Sequence, residues 1–372
     1  MQLSETIKLY MSQEEKILVT SAMNEYIRVV NDLVSLSISG TAISRYTTAD
    51  VDAKLPSALT NQCIRDAKSI VKNYNKKYKL FLKNKENNVL TAKEPKVPIL
   101  RKQCCYINNQ NFKIDGEFLS VPVFKNGKTI RIKILTSITN RQQELFSNAK
   151  LGTMRIILRN NKIVAQIIYE VVEPKCLEDG NIMGIDLGLK CPAVSYISNG
   201  SVRFYGSGRK NKYIRRHYKC LREQLSKEHK IKAIEKIGNK EQRIMKDIDH
   251  KISRDIINEA ISHNVKIIKM EYLGNVRSKK SNHKNNYNLF TWSFYRLSQF
   301  IEYKARLAGI KVEYIKPAYT SQRCPVCGAI NHAKDRDYAC KCGFHIHRDL
   351  LGAINICYSS EYIGNRDIRY TA

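Results

Sequence analysis

The sequence predicts a multidomain protein in which a small antiparallel β region with helices precedes an α/β layer. Three observations carry this. From about residue 97 apolar and polar residues alternate with period two, and Asn126-Gly127 interrupts the alternation. From about residue 181 strand-like runs give way to long helical ones and then to strands again, and four of the 11 cysteines cluster in the C-terminal part. A length of 372 residues fits two or three domains with ample apolar content for their cores.

The elements follow in order. "ETIKLY" alternates like a strand, and Ser12 with Glu15 forms a capping-box pattern that opens a helix. A second helix is expected from Ser57, just after Pro56. "VPVFKNGKTIRIKIL" predicts a hairpin turning at Asn126-Gly127, and "TMRIILRNNKIVAQIIYEV" a second one around Asn160-Asn161. The first strand is a candidate to complete this antiparallel region. "IMGIDLGLKCPAVSYISNGSVRFYG" reads as three strands, followed by helical segments over about 209–236 and 240–263. An apolar strand "VKIIKMEYL", a helix from Ser293 to Ala308 and the strand "KVEYI" complete the layer, and residues 360–372 read as a disordered tail.

Sixty-four Lys and Arg against 34 Asp and Glu leave a formal charge of +30. Such a charge draws polyanions, and nucleic acid is the first partner it suggests. Seven lysines and no acid fall between Ala67 and Lys85, among them Lys72, Lys76 and Lys77. No acid lies between Asp186 and Glu223, whereas Arg209, Lys210, Arg215 and Arg216 do. These seven are the candidate phosphate contacts; a solvated basic helix face is the plainer alternative for both runs. No apolar run of 18 residues and no signal-peptide pattern appears, so a cytoplasmic, nucleoid-associated protein without membrane contact is expected.

Three acids stand apart from the rest. Asp186 ends "IMGID", and although Asp-x-Gly is often a turn, a strand end is also where open α/β sheets place ligands. Glu271 ends the apolar run "VKIIKME". Asp349 opens "DLLGAINI", where its plain reading is a helix N-cap. Carboxylates on separate elements suit two divalent cations that activate water, stabilise a phosphorane-like transition state and assist the leaving oxygen, so a pair of Mg2+ ions, with Mn2+ as the substitute, is the expected cofactor. Cys324, Cys327, Cys340 and Cys342 form C-x2-C-x12-C-x-C, a thiolate set for structural Zn2+. The short second pair leaves His332, His345 or His347 as a replacement ligand.

With acids and cysteines in this order, the sequence resembles the TnpB (OrfB) family, RNA-guided nucleases of bacterial insertion sequences related to type V CRISPR effectors. "GIDLG", "KMEYLGNVR", "YTSQRCPVCG" and "CKCGFHIHRDLLGAINI" carry the resemblance, with support from "DIDHKISRDII" and "TWSFYRLSQFIEYKARLAGIKVEYI". It implies an RNase H-like RuvC domain over 181–319 and 347–359, interrupted by a zinc ribbon at 320–346. A β-barrel wedge domain over 1–11 and 87–180, with a helical recognition domain inserted at 12–86, would precede it. It further implies catalytic, magnesium-binding roles for Asp186, Glu271 and Asp349. The partners would be a guide RNA from the transposon end and double-stranded target DNA beside a short adjacent motif, with a monomer as the favoured state. Two readings stay open beside cleavage: an RNA-guided binder that does not cut, and a guide-independent RuvC-type resolvase or transposase.

Overall fold

The computed structural model describes residues 1–87, 93–159, 162–273, 294–333, 335–360 and 362–363. The chain divides into two compact units, Met1–Val172 and Glu173–Ala372. Among the described residues no helix is long and apolar enough to cross a membrane.

The first unit joins a seven-stranded antiparallel sheet to helices. Its strands are β1 (Gln2–Tyr10), β2 (Cys104–Ile107), β3 (Lys113–Asp115), β4 (Phe118–Lys125), β5 (Lys128–Thr136), β6 (Leu151–Arg159) and β7 (Lys162–Glu170), in the order β2-β6-β7-β1-β5-β4-β3. The first strand thus completes the sheet, lying between β7 and β5. The Asn-Gly turn forms as expected: Lys125 faces Lys128, and Asn126 and Gly127 take φ of 51° and 78°. Both central residues of a type I′ turn need positive φ, which Asn and Gly tolerate best. In the second hairpin Arg159 faces Lys162, while its turn at 160–161 lies outside the described residues.

Helix α1 (Gln13–Ile38) begins at Ser12, whose hydroxyl accepts the Glu15 amide while the Glu15 carboxylate accepts the Ser12 amide. Helix α2 (Ser57–Glu86) packs beside it, and Met23, Tyr26, Leu59 and Cys63 join Leu119, Ile134, Ile156 and Ile167 of the sheet in one core. A short helix, α3 (Asn140–Asn148), was not expected from its polar composition; its signal is the Thr139-x-x-Gln142 capping box.

The second unit contains a six-stranded sheet of β8 (Asn181–Asp186), β9 (Ala193–Ile197), β10 (Val202–Tyr205), β11 (Val265–Glu271), β12 (Lys311–Ile315) and β15 (Tyr362–Ile363), ordered β10-β9-β8-β11-β12-β15. Strands β8, β11 and β12 run parallel, and the other pairings are antiparallel. Parallel neighbours require a long crossover, which α4 (Gly208–Lys227), α5 (Ile231–Ile237) and α6 (Lys240–Ser262) help supply between β10 and β11. The expected single helix over 209–236 is divided near His229, whose φ is 53°. Helix α7 (Phe294–Leu307) buries Phe294, Leu297 and Ile301, so the aromatic there serves the core. Trp292 and the basic run "RSKKSNHK" at 277–284 lie outside the described residues.

Two expectations need correction. Residues 362 and 363 are not tail but pair with Ile315 and Tyr314 as an edge strand. Asp349 is not the N-cap of α8 (Arg348–Tyr358): that position belongs to His347, whose ring nitrogen Nδ1 accepts the Asp349 amide at 3.3 Å. Imidazole can accept this bond because one ring nitrogen of its neutral form lacks a proton. The Asp349 carboxylate is thereby free for other partners.

Candidate active site and cysteine cluster

Strand register brings the first two acids together. Ile185 of β8 lies opposite Met270 of β11, so Asp186 and Glu271 are the next residues on adjacent parallel strands, at the carboxyl edge of the sheet. Helix α8 crosses β8 at unusually short range. A Cβ on Gly184 would stand 2.2 Å from the Ala353 carbonyl oxygen and 2.4 Å from the Cys357 amide nitrogen, so only glycine admits the helix there. A Cβ on Gly352 would stand 3.2 Å from Cγ of Asp186. Lys269 donates to the Cys357 and Ser359 carbonyls at 3.1 and 2.8 Å and holds the far end of the helix. Favourable placement of a cation at a helix C-terminus adds to this bond.

The helix thus delivers Asp349, which is 7% exposed, to the same edge. Burial, the Glu271 carboxylate and the Asp349 carboxylate together push the Asp186 carboxyl well above its ordinary pKa; Arg336 and Arg348 oppose them. Glu271 is also raised by burial, with the Thr320 hydroxyl that donates to its Oε1 acting the other way. Mutual repulsion of this kind is how neighbouring carboxylates betray a shared site. The ligand oxygens of the three acids are close enough to act on one another but are not all within 4.8 Å. Among the described residues, the four thiols are the one group of three or more His, Cys, Asp or Glu with ligand atoms all within 4.8 Å of one another.

Two partners of the acids were not singled out from the sequence. Arg336 donates from Nη1 to Asp349 Oδ1, and Thr320 holds Glu271. Both lie in or beside the cysteine module. The Arg348 amide donates to the Arg336 carbonyl at 2.6 Å, and Asn355 of α8 donates to the Thr320 and Arg323 carbonyls at 2.7 and 2.8 Å. The only local hint of Arg336 was a basic residue at the head of "RDYAC", between the first thiol pair and the hairpin that carries the second.

That module carries the hairpin β13 (Asp337–Ala339) and β14 (His345–His347). Cys324 and Cys342 stand with sulfurs 3.6 Å apart and Cys327 and Cys340 at 3.4 Å. Tetrahedral ligands at about 2.3 Å from zinc lie about 3.8 Å from one another, so the cluster is near the size the metal needs. The Cys340 thiol is drawn down to about 6, first by the backbone hydrogen bond from Cys342. Asn331 also donates to its sulfur at 3.2 Å. His347 is engaged with α8, and none of His332, His345 and His347 joins the cluster.

The candidate phosphate contacts separate by face. Lys72 and Lys76 line a groove of about 800 Å3 with Lys68 and Lys79, whereas Lys77 is exposed elsewhere on α2. Arg209 and Arg216 line a second groove on α4, and Lys210 is exposed beside it. Arg215 instead turns toward Glu241 of α6 at 3.7 Å, next to the Arg222–Glu241 pair.

Residues 294–356 match the family model of the Cas12f1-like TNB domain. The TnpB-like protein MJ0751 of Methanocaldococcus jannaschii is 32% identical over 274 residues, which cover 68% of this chain and 95% of that protein. The chain belongs to the TnpB family. This TnpB-family chain is also 33% identical over 218 residues to the CRISPR-associated endodeoxyribonuclease Cas12f1 of Sulfoacidibacillus thermotolerans, covering 53% of the chain and 50% of that longer relative. Its fold is shared with a Cas12f1 from a cryo-EM structure of the Cas12f1-sgRNA-target DNA complex. The TM-score is 0.67 at 17% identity, over 95% of this chain and 84% of the other. The TnpB family and the type V CRISPR effectors are therefore joined here by both sequence and fold.

Proposed function

We propose that this TnpB-family chain is an RNA-guided DNA endonuclease. Its RuvC-type site would hydrolyse phosphodiester bonds of a target beside a short adjacent motif, with Asp186, Glu271 and Asp349 as the metal-binding acids. The observation that carries the reading is the placement of three carboxylates from β8, β11 and α8 at one sheet edge, where burial and then the charges of Glu271 and Asp349 raise the Asp186 pKa in spite of two nearby arginines. Their hard oxygen donors suit Mg2+ or Mn2+. Carboxylates carried by three separate elements suit a pair of such ions, which need several oxygen ligands held a few ångström apart. A divalent cation bound there supplies charge neutralisation of the transition state and a water of lowered pKa. Thr320 then orients Glu271, and Arg336 offers a positive charge at the edge of the site.

In the same reading the four thiols hold a structural Zn2+, which fixes Thr320 and Arg336 against α8. The first unit is the wedge domain, with α1 and α2 as the inserted recognition helices, and the second is the RuvC domain interrupted by the ribbon. A guide RNA would supply sequence recognition through base pairing, leaving the protein's basic residues to hold backbones. Its relatives support this, being named as an endodeoxyribonuclease and solved with sgRNA and target DNA. The test combines the purified chain, its co-purified RNA and a plasmid target library with Mg2+. Guide-dependent linearisation that disappears in Asp349→Ala, while RNA and target binding persist, is expected. Plasmid left intact across all flanking sequences would favour the binder, and cutting that survives RNase treatment before assembly would favour a guide-independent enzyme.

A further inference from the structure

The outer face of α4 sets cations beside planar rings. Arg209, Lys212, Tyr213, Arg216 and His217 recur on successive turns and, with Lys190, line a groove of about 710 Å3. The opposite side of the helix does the packing, through buried Tyr218 and through Arg215 and Arg222 turned to Glu241. Among the described residues, Arg209, Lys212 and Arg216 have no carboxylate partner. Tyr213 is 69% exposed, and its ring lies 6.1 Å from that of His217 with only 20° between the planes. A core role does not account for an aromatic ring that open to solvent.

A duplex offers this groove phosphates and base edges but no base face, because its bases are stacked on one another. An unpaired strand offers a base face as well as a phosphate, and both halves of the groove then have a partner. The rim also leads to the acids. Lys190 follows Asp186 by four residues and its carbonyl accepts the Gly208 amide, at the start of α4, at 2.9 Å. Its ammonium lies 3.2 Å from Asp335, the neighbour of the Arg336 that holds Asp349.

We propose that this groove binds an unpaired nucleic-acid strand, with one base against Tyr213 and His217 and its phosphates among Lys190, Arg209, Lys212 and Arg216. The assignment of that strand as DNA bound for the three carboxylates rests on the nuclease reading above. The groove therefore positions a single strand and leaves paired regions to the other basic surfaces.

The test uses the full chain carrying Asp186→Asn, so that DNA stays intact, with fluorescein-labelled dT and rU decamers and an RNA–DNA hybrid. Anisotropy is read at about 0.3 M salt, where screening weakens nonspecific contacts. Tyr213→Ala combined with His217→Ala is expected to weaken dT binding about tenfold or more and hybrid binding less than about twofold. Tyr213→Phe keeps the ring and should keep the affinity. Arg216→Ala should weaken both ligands and reduce the slope of log affinity against log salt by about one. As a local readout, dT should slow maleimide labelling of the groove residue Cys220 and leave exposed Cys176 unchanged. Equal losses on hybrid and decamer, or unprotected Cys220, would overturn the proposal. Protection by rU but not dT would overturn the assignment to DNA. Guide-dependent plasmid cutting by the chain with Asp186 intact is scored separately. Its absence with the decamer effects present removes the nuclease reading alone, and the converse removes the groove alone.

Discussion

Gly184→Ala tests whether the approach of α8 to β8 places the third acid. The added methyl would begin 2.2 Å from the Ala353 carbonyl oxygen, and Cβ contacts essentially never fall below 3.0 Å. Both nearest atoms belong to the helix backbone, so a side chain cannot turn away to make room. Helix and strand must separate by most of an ångström, at an overpacking cost of about 1–3 kcal/mol. At roughly 2–4 °C per kcal/mol for a domain of about 200 residues, the melting temperature should fall by about 2–12 °C. Asp349 rides on that helix, and an error of about 1 Å in a reacting group can cost about 100-fold. Guide-dependent cleavage should fall by that order while the protein still binds RNA. Gly152→Ala is the control, since its methyl would meet Ile168 at an ordinary 3.4 Å. If Gly184→Ala melted and cut like the unchanged chain, the account of how α8 is positioned would be wrong.

Asp186→Asn should abolish cutting yet raise the melting temperature of the metal-free protein near pH 7.5, by roughly 2–4 °C for each kcal/mol of repulsion relieved. The sign follows from the raised pKa of Asp186. The native state binds the proton more tightly, so this group's stabilising contribution is present below the usual carboxylate range and is lost as pH rises through the folded pKa. The gap between variant and unchanged chain should therefore narrow as pH is lowered toward the usual carboxylate range; a gap that widened would contradict the assignment. Cys340→Ala should reduce bound zinc several-fold and loosen the ribbon, measured by metal content and thermal melting, because structural zinc energy is folding energy. Full zinc content in that variant would show that these thiols are not its ligands.

Much of this molecule was legible because the signals are local. The Ser12–Glu15 capping box, the Asn126-Gly127 turn and the alternation of β4 and β5 depend on hydrogen bonds and dihedral angles within a few residues. The cysteine spacing is likewise short-range, since two tight turns set where four sulfurs meet. Asp349 was misread as the cap because a helix starts where backbone geometry turns, and an acid two residues inside the true cap, His347, looks equally apt. Arg215 was grouped with its neighbours because a charge run does not show which face of α4 meets Glu241.

The sequence alone therefore determined most of the element types, though not α3, the break near His229 or the edge strand at 362–363, together with the three candidate acids, the thiol set and the polyanion-seeking charge. The tertiary structure decided that β8 and β11 are parallel neighbours in the register that sets Asp186 beside Glu271. It also decided that Gly184 admits α8, that Arg336 and Thr320 attend the acids, and that Tyr213 and His217 face outward over cations. The physical reason is separation along the chain. Periodicity and caps act over a few residues, whereas Asp186, Glu271 and Asp349 are brought together by strand pairing and helix docking between segments about 80 residues apart, which no local pattern encodes.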